Sequence, residues 1–415
     1  MLPLPMHDNA ELALACRSCG GQKLHSVLDL GMSPLANAYR TRGQLAEPET
    51  FYPLHAVICE SCLLMQLTAN VAPEKLFGDY LYFSSFSSTM MEHARRYAEM
   101  TCPRFALSPA SLVVEIASND GYLLKYFKER GIPVLGIEPA RTVAEAAKRD
   151  HGIPTITRFF GRQLAEELKA QGKEADLIVA NNVLAHVPDI NDFIAGIALL
   201  LKRDGTATFE FPDVGNLLKE GQFDTIYHEH FSYLSLQTVE RLLIRHGLCV
   251  FDAEKLPVHG GSLRVYACHT DVRAIGARVR SLRDAALSDI AAYSALAGKA
   301  YAIKRNLLAF LIKAKNEGKR VCAYGAPAKG NTLLNFCGIR TDFIDFTVDV
   351  SRHKQGFYLP GSGIPILPPS ALKKEKPDYV LILPWNLKEE IMKEHAYVSS
   401  CGGCFVLAVP ELTLC

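Results

Sequence analysis

The chain predicts a mixed α/β protein in three parts: a small cysteine-knuckle module, a central doubly wound domain and a second, smaller Rossmann-like domain. Three observations predict it. Two Cys-x-x-Cys pairs fall within the first 62 residues, Cys16 with Cys19 and Cys59 with Cys62. An apolar strand–loop–helix–strand unit runs from Leu112 to Pro139, and a similar alternation begins again near Lys319. The expected boundaries are 1–75 for the cysteine module, 76–272 for the central domain, 273–318 for a helical connector and 319–415 for the last domain.

Each Cys-x-x-Cys knuckle turns two thiolates toward one centre, and two knuckles complete a tetrahedral zinc site. Cys19-Gly20-Gly21 supplies a tight turn, and Val57-Ile58 a short strand into the second knuckle, as in a zinc ribbon. Four cysteine ligands close the coordination sphere, so the expected Zn2+ is structural. A third pair, Cys401-Gly402-Gly403-Cys404, has no partner knuckle and leads into an apolar segment, so it reads as a glycine turn before a core strand.

In the central unit, Leu112–Val114 ends in the acid Glu115, and the small turn-prone loop Ala117-Ser118-Asn119-Asp120-Gly121 follows. A second strand, Val134–Ile137, ends in Glu138-Pro139. Such a loop lets a ligand approach the backbone, and the second acid can grip a ribose diol. The G-x-G-x-x-G dinucleotide fingerprint is absent, and two acids suit a positively charged nucleoside better than a pyrophosphate. The pattern resembles motifs I and II of the S-adenosylmethionine (SAM) methyltransferases. Asp176–Ala180 reads as the fourth strand, and its loop Asn181-Asn182-Val183-Leu184-Ala185-His186-Val187-Pro188-Asp189 corresponds to the one that, in those enzymes, flanks the methionine half of SAM and the acceptor. Gly205–Phe211 reads as the fifth strand after a turn at Lys202–Gly205. The resemblance implies that Glu115, Ala117, Ser118, Asn119, Gly121, Glu138, Pro139, Asn181 and Asn182 hold the cofactor.

Ionisable and hydroxyl side chains crowd between aromatics in Phe223-Asp224-Thr225-Ile226-Tyr227-His228-Glu229-His230-Phe231-Ser232-Tyr233. An extended backbone puts His228 and His230 on one face with Tyr227 and Glu229 on the other, whereas a turn regroups them. Three readings stand side by side: a metal site on the two histidines, a structural polar cluster, and acid–base chemistry by an imidazole oriented by a carboxylate. Tyr80-Leu81-Tyr82-Phe83-Ser84-Ser85 reads equally as an apolar linker or as a lid over an acceptor pocket.

Taken in order, these motifs make the chain similar to the zinc-containing C-methyltransferases that act on nucleotide-linked deoxysugars, the makers of tetronitrose- and mycarose-type branched sugars. Leu256–Arg264, Tyr324–Gly330, Asn335–Ile339 and Asp349 through Gln355 match as well. The resemblance implies methylation at carbon next to a ketone, usually C3 of an NDP-4-keto-6-deoxysugar. It puts the base at His230, with Glu229 and Tyr227 beside it, His186 in the site, and a lid tyrosine at Tyr80 or Tyr82. Two further possibilities are an O- or N-methyltransferase of another small metabolite on the same scaffold, and a non-catalytic zinc- and SAM-fold binding protein.

The loop Gly325-Ala326-Pro327-Ala328-Lys329-Gly330 opens the second strand–loop–helix unit. It is not a P-loop, because the lysine precedes the second glycine. Either it packs, or its amides and Lys329 hold the sugar nucleotide's pyrophosphate. His259, Arg264 and Lys354 are further candidates for substrate contact. Arg273–Glu317 has helical spacing and no visible chemistry. With 45 basic and 44 acidic residues the net charge is +1, which argues against nucleic-acid binding. No apolar run suits a membrane span and the N-terminus lacks a signal-peptide pattern, so a reduced cytoplasmic protein is expected, with a monomer plausible.

Overall fold

The computed structural model describes residues 11–12, 15–77, 84–86, 88–284 and 289–415. The expected lid tyrosines Tyr80 and Tyr82 lie outside them, and so does the side chain of His259. Among the described residues no helix is long and apolar enough to cross a membrane.

In the first part, strands β1 (Leu24–Pro34), β2 (Phe51–Cys59) and β3 (Met65–Leu67) form an antiparallel meander. Helix α1 (Ser88–Arg104) then leads into the central sheet. That sheet collects β4 (Val113–Ile116), β5 (Val134–Ile137), β6 (Thr155–Ile156), β7 (Ala175–Asn181) and β8 (Leu201–Pro212) as parallel neighbours. All of β4 and β5 is buried, as a sheet covered by helices on both faces requires. The turn expected at Lys202–Gly205 is instead a shift of register inside β8, between Leu201 and Thr206. Between β7 and β8 lies helix α2 (Ile190–Leu200), capped by the Asp189 carboxylate on the amides of Asn191 and Asp192.

Strand β9 (Ser232–Tyr233) leaves the central domain and pairs with β3. The cysteine module is therefore not a detachable unit, because its four-stranded sheet, β9-β3-β2-β1, includes the end of the histidine-rich motif. The capping box of Ser235 and Thr238 then starts helix α3 (Leu236–Arg245). Strands β10 (Leu248–Leu256) and β11 (Ser262–His269) close the central sheet antiparallel, in the order β10-β11-β8-β7-β4-β5-β6.

The connector contains helices α4 (Ala277–Asp284) and α5 (Ala291–Asn316). Tyr293, Leu296, Ala300, Ile303, Leu307 and Leu311 of α5 are buried in one core with Leu28 and Leu54 of the zinc-module sheet and Leu333, Leu334 and Leu381 of the last domain. That domain builds its own sheet around β12 (Val321–Tyr324), followed by helix α6 (Ala328–Cys337). Strands β13 (Thr347–Val348), β14 (Ile366–Leu367), β15 (Tyr379–Ile382) and β16 (Cys404–Leu407) extend it in parallel, and β17 (Thr413–Leu414) closes an edge antiparallel. The Cys401–Cys404 segment is the turn expected before β16, with Gly402 at φ +85°.

Candidate active site

At the knuckles, the Sγ atoms of Cys16, Cys19, Cys59 and Cys62 all lie within 4.8 Å of one another. Cys16 and Cys62 approach to 3.4 Å, and Cys19 and Cys59 to 3.5 Å. A tetrahedral zinc with Zn–S bonds of about 2.3 Å needs sulfurs about 3.8 Å apart. The four cysteines thus fit Zn2+ with shifts of a few tenths of an ångström to about 1 Å, and no other metal-binding group of this kind occurs among the described residues.

The residues expected to hold the cofactor lie where β4 meets its neighbours β5 and β7, the switch point of the doubly wound sheet. There the backbone bends sharply: Ala117 (φ +55°), Asn119 (φ +49°), Gly121 (φ +78°) and Asn182 (φ +56°) are all left-handed. Such strain in non-glycine residues is held only where the surroundings impose it. Gly136 of β5 is needed for a different reason, since a Cβ there would stand 2.5 Å from Ser118 Oγ.

Glu115 and Glu138 are buried beside Asp120. Burial, then the charges of Asp120 and Glu138, push the Glu115 carboxyl well above its usual range. Glu138 is also raised by burial, against the amides of Ala140 and Asn119 that bond its two oxygens at 2.8 and 2.9 Å. Each of those oxygens keeps a second lone pair for a diol hydroxyl. Glu115 Oε2, Ser118 Oγ, Asp120 Oδ1 and Asn181 Oδ1 are buried without hydrogen-bond partners among the described residues. Unsatisfied acceptors around clustered carboxylates are what a cationic, hydroxyl-bearing ligand would relieve. The donor set therefore fits SAM.

The histidine motif does not run extended. A turn over 227–230, with the His230 amide bonded to the Tyr227 carbonyl at 2.9 Å, brings the Tyr227 and His230 side chains together. His230 Nδ1 lies 2.9 Å from the Thr225 carbonyl, which can only accept, so Nδ1 carries a proton and, in the neutral ring, Nε2 keeps its lone pair. The Tyr227 hydroxyl, 2.9 Å away, donates to Nε2. His186 is arranged in the same manner, with Nδ1 at 2.8 Å from the Glu229 carbonyl, and its ring meets that of His230 at 4.7 Å between centroids.

One expectation changes here, and one of the three readings of the motif falls. Glu229 was expected to orient the histidine. Its carboxylate instead accepts from Asn37 Nδ2 at 2.7 Å, and the main-chain carbonyl of Thr225 orients His230. Burial pushes the Glu229 carboxyl up to about 7, opposed by the Asn37 hydrogen bond and the Lys354 charge. His228 does not join His230 in a metal site: its Nε2 bonds the Pro53 carbonyl at 3.2 Å, and burial pulls its pKa down to about 4.

The candidate substrate residues are engaged by groups of the protein itself. Arg264, expected to reach substrate, gives its guanidinium to Glu210 at 2.7 Å and Glu254 at 3.3 Å inside the sheet. Lys329 bonds Asn386 Oδ1 at 2.9 Å and stands over the Trp385 ring. Lys354 bonds the Ala326 carbonyl at 3.0 Å, on which Tyr39 also converges at 2.6 Å. The amide of Ala326, expected to be open to a phosphate, is taken by Asp349 at 2.8 Å.

Sequence reasoning passed over Asn37 and Tyr39, which reach the Glu229 and Ala326 side of the site from the loop after β1. Their signal was two polar residues set in the small apolar stretch Pro34-Leu35-Ala36-Asn37-Ala38-Tyr39. Asn331 and Thr332 of α6 were missed too: they bond the carbonyls of Ala36 and Ile226 and so tie the last domain to both.

Sheet order, acid-lined switch point and four-cysteine centre together define a SAM-dependent methyltransferase with a structural zinc module. Family models agree along the chain: "Putative zinc binding domain" matches 16–77, "Methyltransferase domain" 90–252 and "C-methyltransferase C-terminal domain" 257–410. The chain is 36% identical over 401 residues to C-methyltransferase NovU of Streptomyces niveus, covering 95% of each protein. It belongs to this C-methyltransferase family. A ubiquinone biosynthesis O-methyltransferase of Bartonella quintana (strain Toulouse) is 26% identical over 171 residues, 37% of this chain and 69% of its own. Among solved structures, magnesium protoporphyrin IX methyltransferase from Synechocystis PCC 6803 with bound SAH aligns with 48% of this chain and 92% of its own, at 14% identity and a TM-score of 0.35.

Proposed function

We propose that the enzyme methylates the carbon next to the ketone, C3, of an NDP-4-keto-6-deoxysugar, with His230 as the base. The observation that carries this reading is the contact of His230 Nδ1 with the Thr225 carbonyl. With Nδ1–H spent on the Thr225 carbonyl, the basic Nε2 faces a phenol 2.9 Å away. A carbon bearing hydrogen becomes a nucleophile only after losing a proton, and a ketone makes that loss feasible when the base is in reach and the oxyanion meets a donor. Tyr227 first turns its hydroxyl from the single lone pair of Nε2 to the ketone oxygen; Nε2 then takes the α-proton, and the C–H electron pair becomes the enolate, whose oxygen keeps the Tyr227 hydrogen bond. SAM, when bound, supplies an electrophilic methyl with a thioether leaving group.

His186 has a narrower role than a second donor. With its proton on Nδ1, the neutral ring is an acceptor at Nε2 and donates to the enolate only as imidazolium. Lys329 and Lys354 are the cations we assign to the diphosphate side of the substrate, and the nucleotide-sugar class itself rests on the resemblance of the whole motif set.

The test is exchange in D2O with SAM withheld, over a panel of dTDP-, GDP- and CDP-linked 4-keto-6-deoxysugars. The folded wild type should incorporate deuterium next to the ketone of its substrate, and His230→Gln should lose at least about 10²-fold of that rate. Exchange at the wild-type rate in folded His230→Gln would remove the assignment. Methyl transfer to oxygen or nitrogen without carbon exchange would remove the reaction class.

A further inference from the structure

The zinc knuckle does more than terminate a sheet. Between its cysteines, Arg17 sends its guanidinium out of the module and across two loops of the active site. One Nη donates to the Pro188 carbonyl at 3.3 Å and the other to the Leu67 carbonyl at 3.2 Å. The guanidinium carbon stands 5.1 Å from the centre of the Phe231 ring, which is fully buried. Pro188 is two residues beyond His186, and Phe231 is next to His230. The Leu67 residue that Arg17 holds also donates its amide to the Phe231 carbonyl at 3.0 Å.

The contact is reciprocal. Asn191, at the start of α2, donates its amide to the Arg17 and Ser18 carbonyls at 2.7 and 3.1 Å, and is itself held by His246 at 3.0 Å. The Arg17 amide in turn bonds Gln66 Oε1 at 2.8 Å, on the strand that pairs with Ser232. The knuckle backbone, the His186 loop and the His230 turn are thus one hydrogen-bonded body. A planar fork can serve two carbonyls and a ring at once, whereas a lysine ammonium cannot reproduce that geometry.

We propose that Arg17 is a positioning residue: set by the Cys16–Cys19 knuckle, it holds the His186 loop and the His230 turn in register, so that zinc occupancy is transmitted to the two imidazoles. This rests on the reading of His230 as base for its kinetic consequence, though not for its structural one. Zinc in this scheme touches neither substrate nor cofactor. It fixes the backbone from which Arg17 reaches out.

The experiment compares full-length, zinc-loaded wild type with Arg17→Lys and Arg17→Met. Zinc content, SAM affinity, amide hydrogen exchange by mass spectrometry, and kcat and KM on the keto-sugar that the wild type enolises are all measured. Both variants should keep wild-type zinc and bind SAM within about 2-fold, yet exchange faster in peptides spanning 184–191 and 226–234. A displacement near 1 Å costs about 10²-fold in rate, so kcat should fall about 10- to 100-fold with KM within about 3-fold. Unchanged exchange in those two peptides overturns the proposal, as does loss of zinc from both variants, which would make Arg17 a support of the metal alone. A rise in KM with kcat preserved also overturns it. Should His230→Gln prove fully active, the base assignment falls, and the exchange data still decide the role of Arg17.

Discussion

Replacing Glu229 with glutamine isolates the cost of burying a carboxylate at the junction of all three parts of the chain. Its carboxyl is raised from 4.5 to about 7, chiefly by burial. That difference is worth about 3 kcal/mol. The folded-state value lies above the unfolded one, so the folded chain binds this proton more tightly. The resulting stability is fully present below pH 4.5, is lost as pH rises toward 7, and does not change further above it. Glutamine does not titrate, and its oxygen can still accept from Asn37. The stability of the variant relative to wild type should therefore improve by about 2–3 kcal/mol between pH 5 and pH 8. Spread over 415 residues at about 2 cal/mol/K each, that is about 3 °C in Tm. Scanning calorimetry of both proteins at the two pH values reads this directly, and any constant cost of the amide cancels. A difference in Tm that is the same at pH 5 and pH 8 would refute the reasoning.

Three further outcomes follow from the residues around Glu115. Glu115→Gln removes a buried carboxylate raised by burial and by its acidic neighbours, so the variant should weaken SAM binding by about 10- to 100-fold in calorimetry. In the wild type, SAM affinity should grow as pH rises above the ordinary carboxylate range, because Glu115 must lose its proton to meet the cation; a pH-independent wild-type affinity would contradict this. Gly136→Ala places a methyl 2.5 Å from Ser118 Oγ and 3.1 Å from both Ser118 Cβ and Thr155 Oγ1, so the 117–121 loop must shift. It should cost about 1–3 kcal/mol in urea unfolding and weaken SAM binding with it. Full SAM affinity in the alanine variant would show that the 117–121 loop is not set by this contact.

The local order of the chain determined much of this protein. Apolar strands that end in Glu115 and Glu138, turn residues at 117–121 and two Cys-x-x-Cys pairs are contiguous patterns. Each specifies its own geometry through backbone preference and burial. They sufficed for the order of the elements, the sharp bend after β4 and the four-sulfur centre.

What only the tertiary structure decided is which atom of each polar residue is spent, and on what. The sequence placed Tyr227, Glu229 and His230 together. The turn over 227–230 joined Tyr227 to His230 and sent Glu229 to Asn37, 192 positions away in the chain. Arg264 looked available and is consumed by Glu210 and Glu254, while Arg17 looked like a spacer between ligands and reaches both the Pro188 loop and the Phe231 ring. The reason is physical. A strand or a metal knuckle is encoded by neighbours, whereas a buried donor takes whichever acceptor packing brings within 3 Å or so, and that acceptor belongs to another part of the fold.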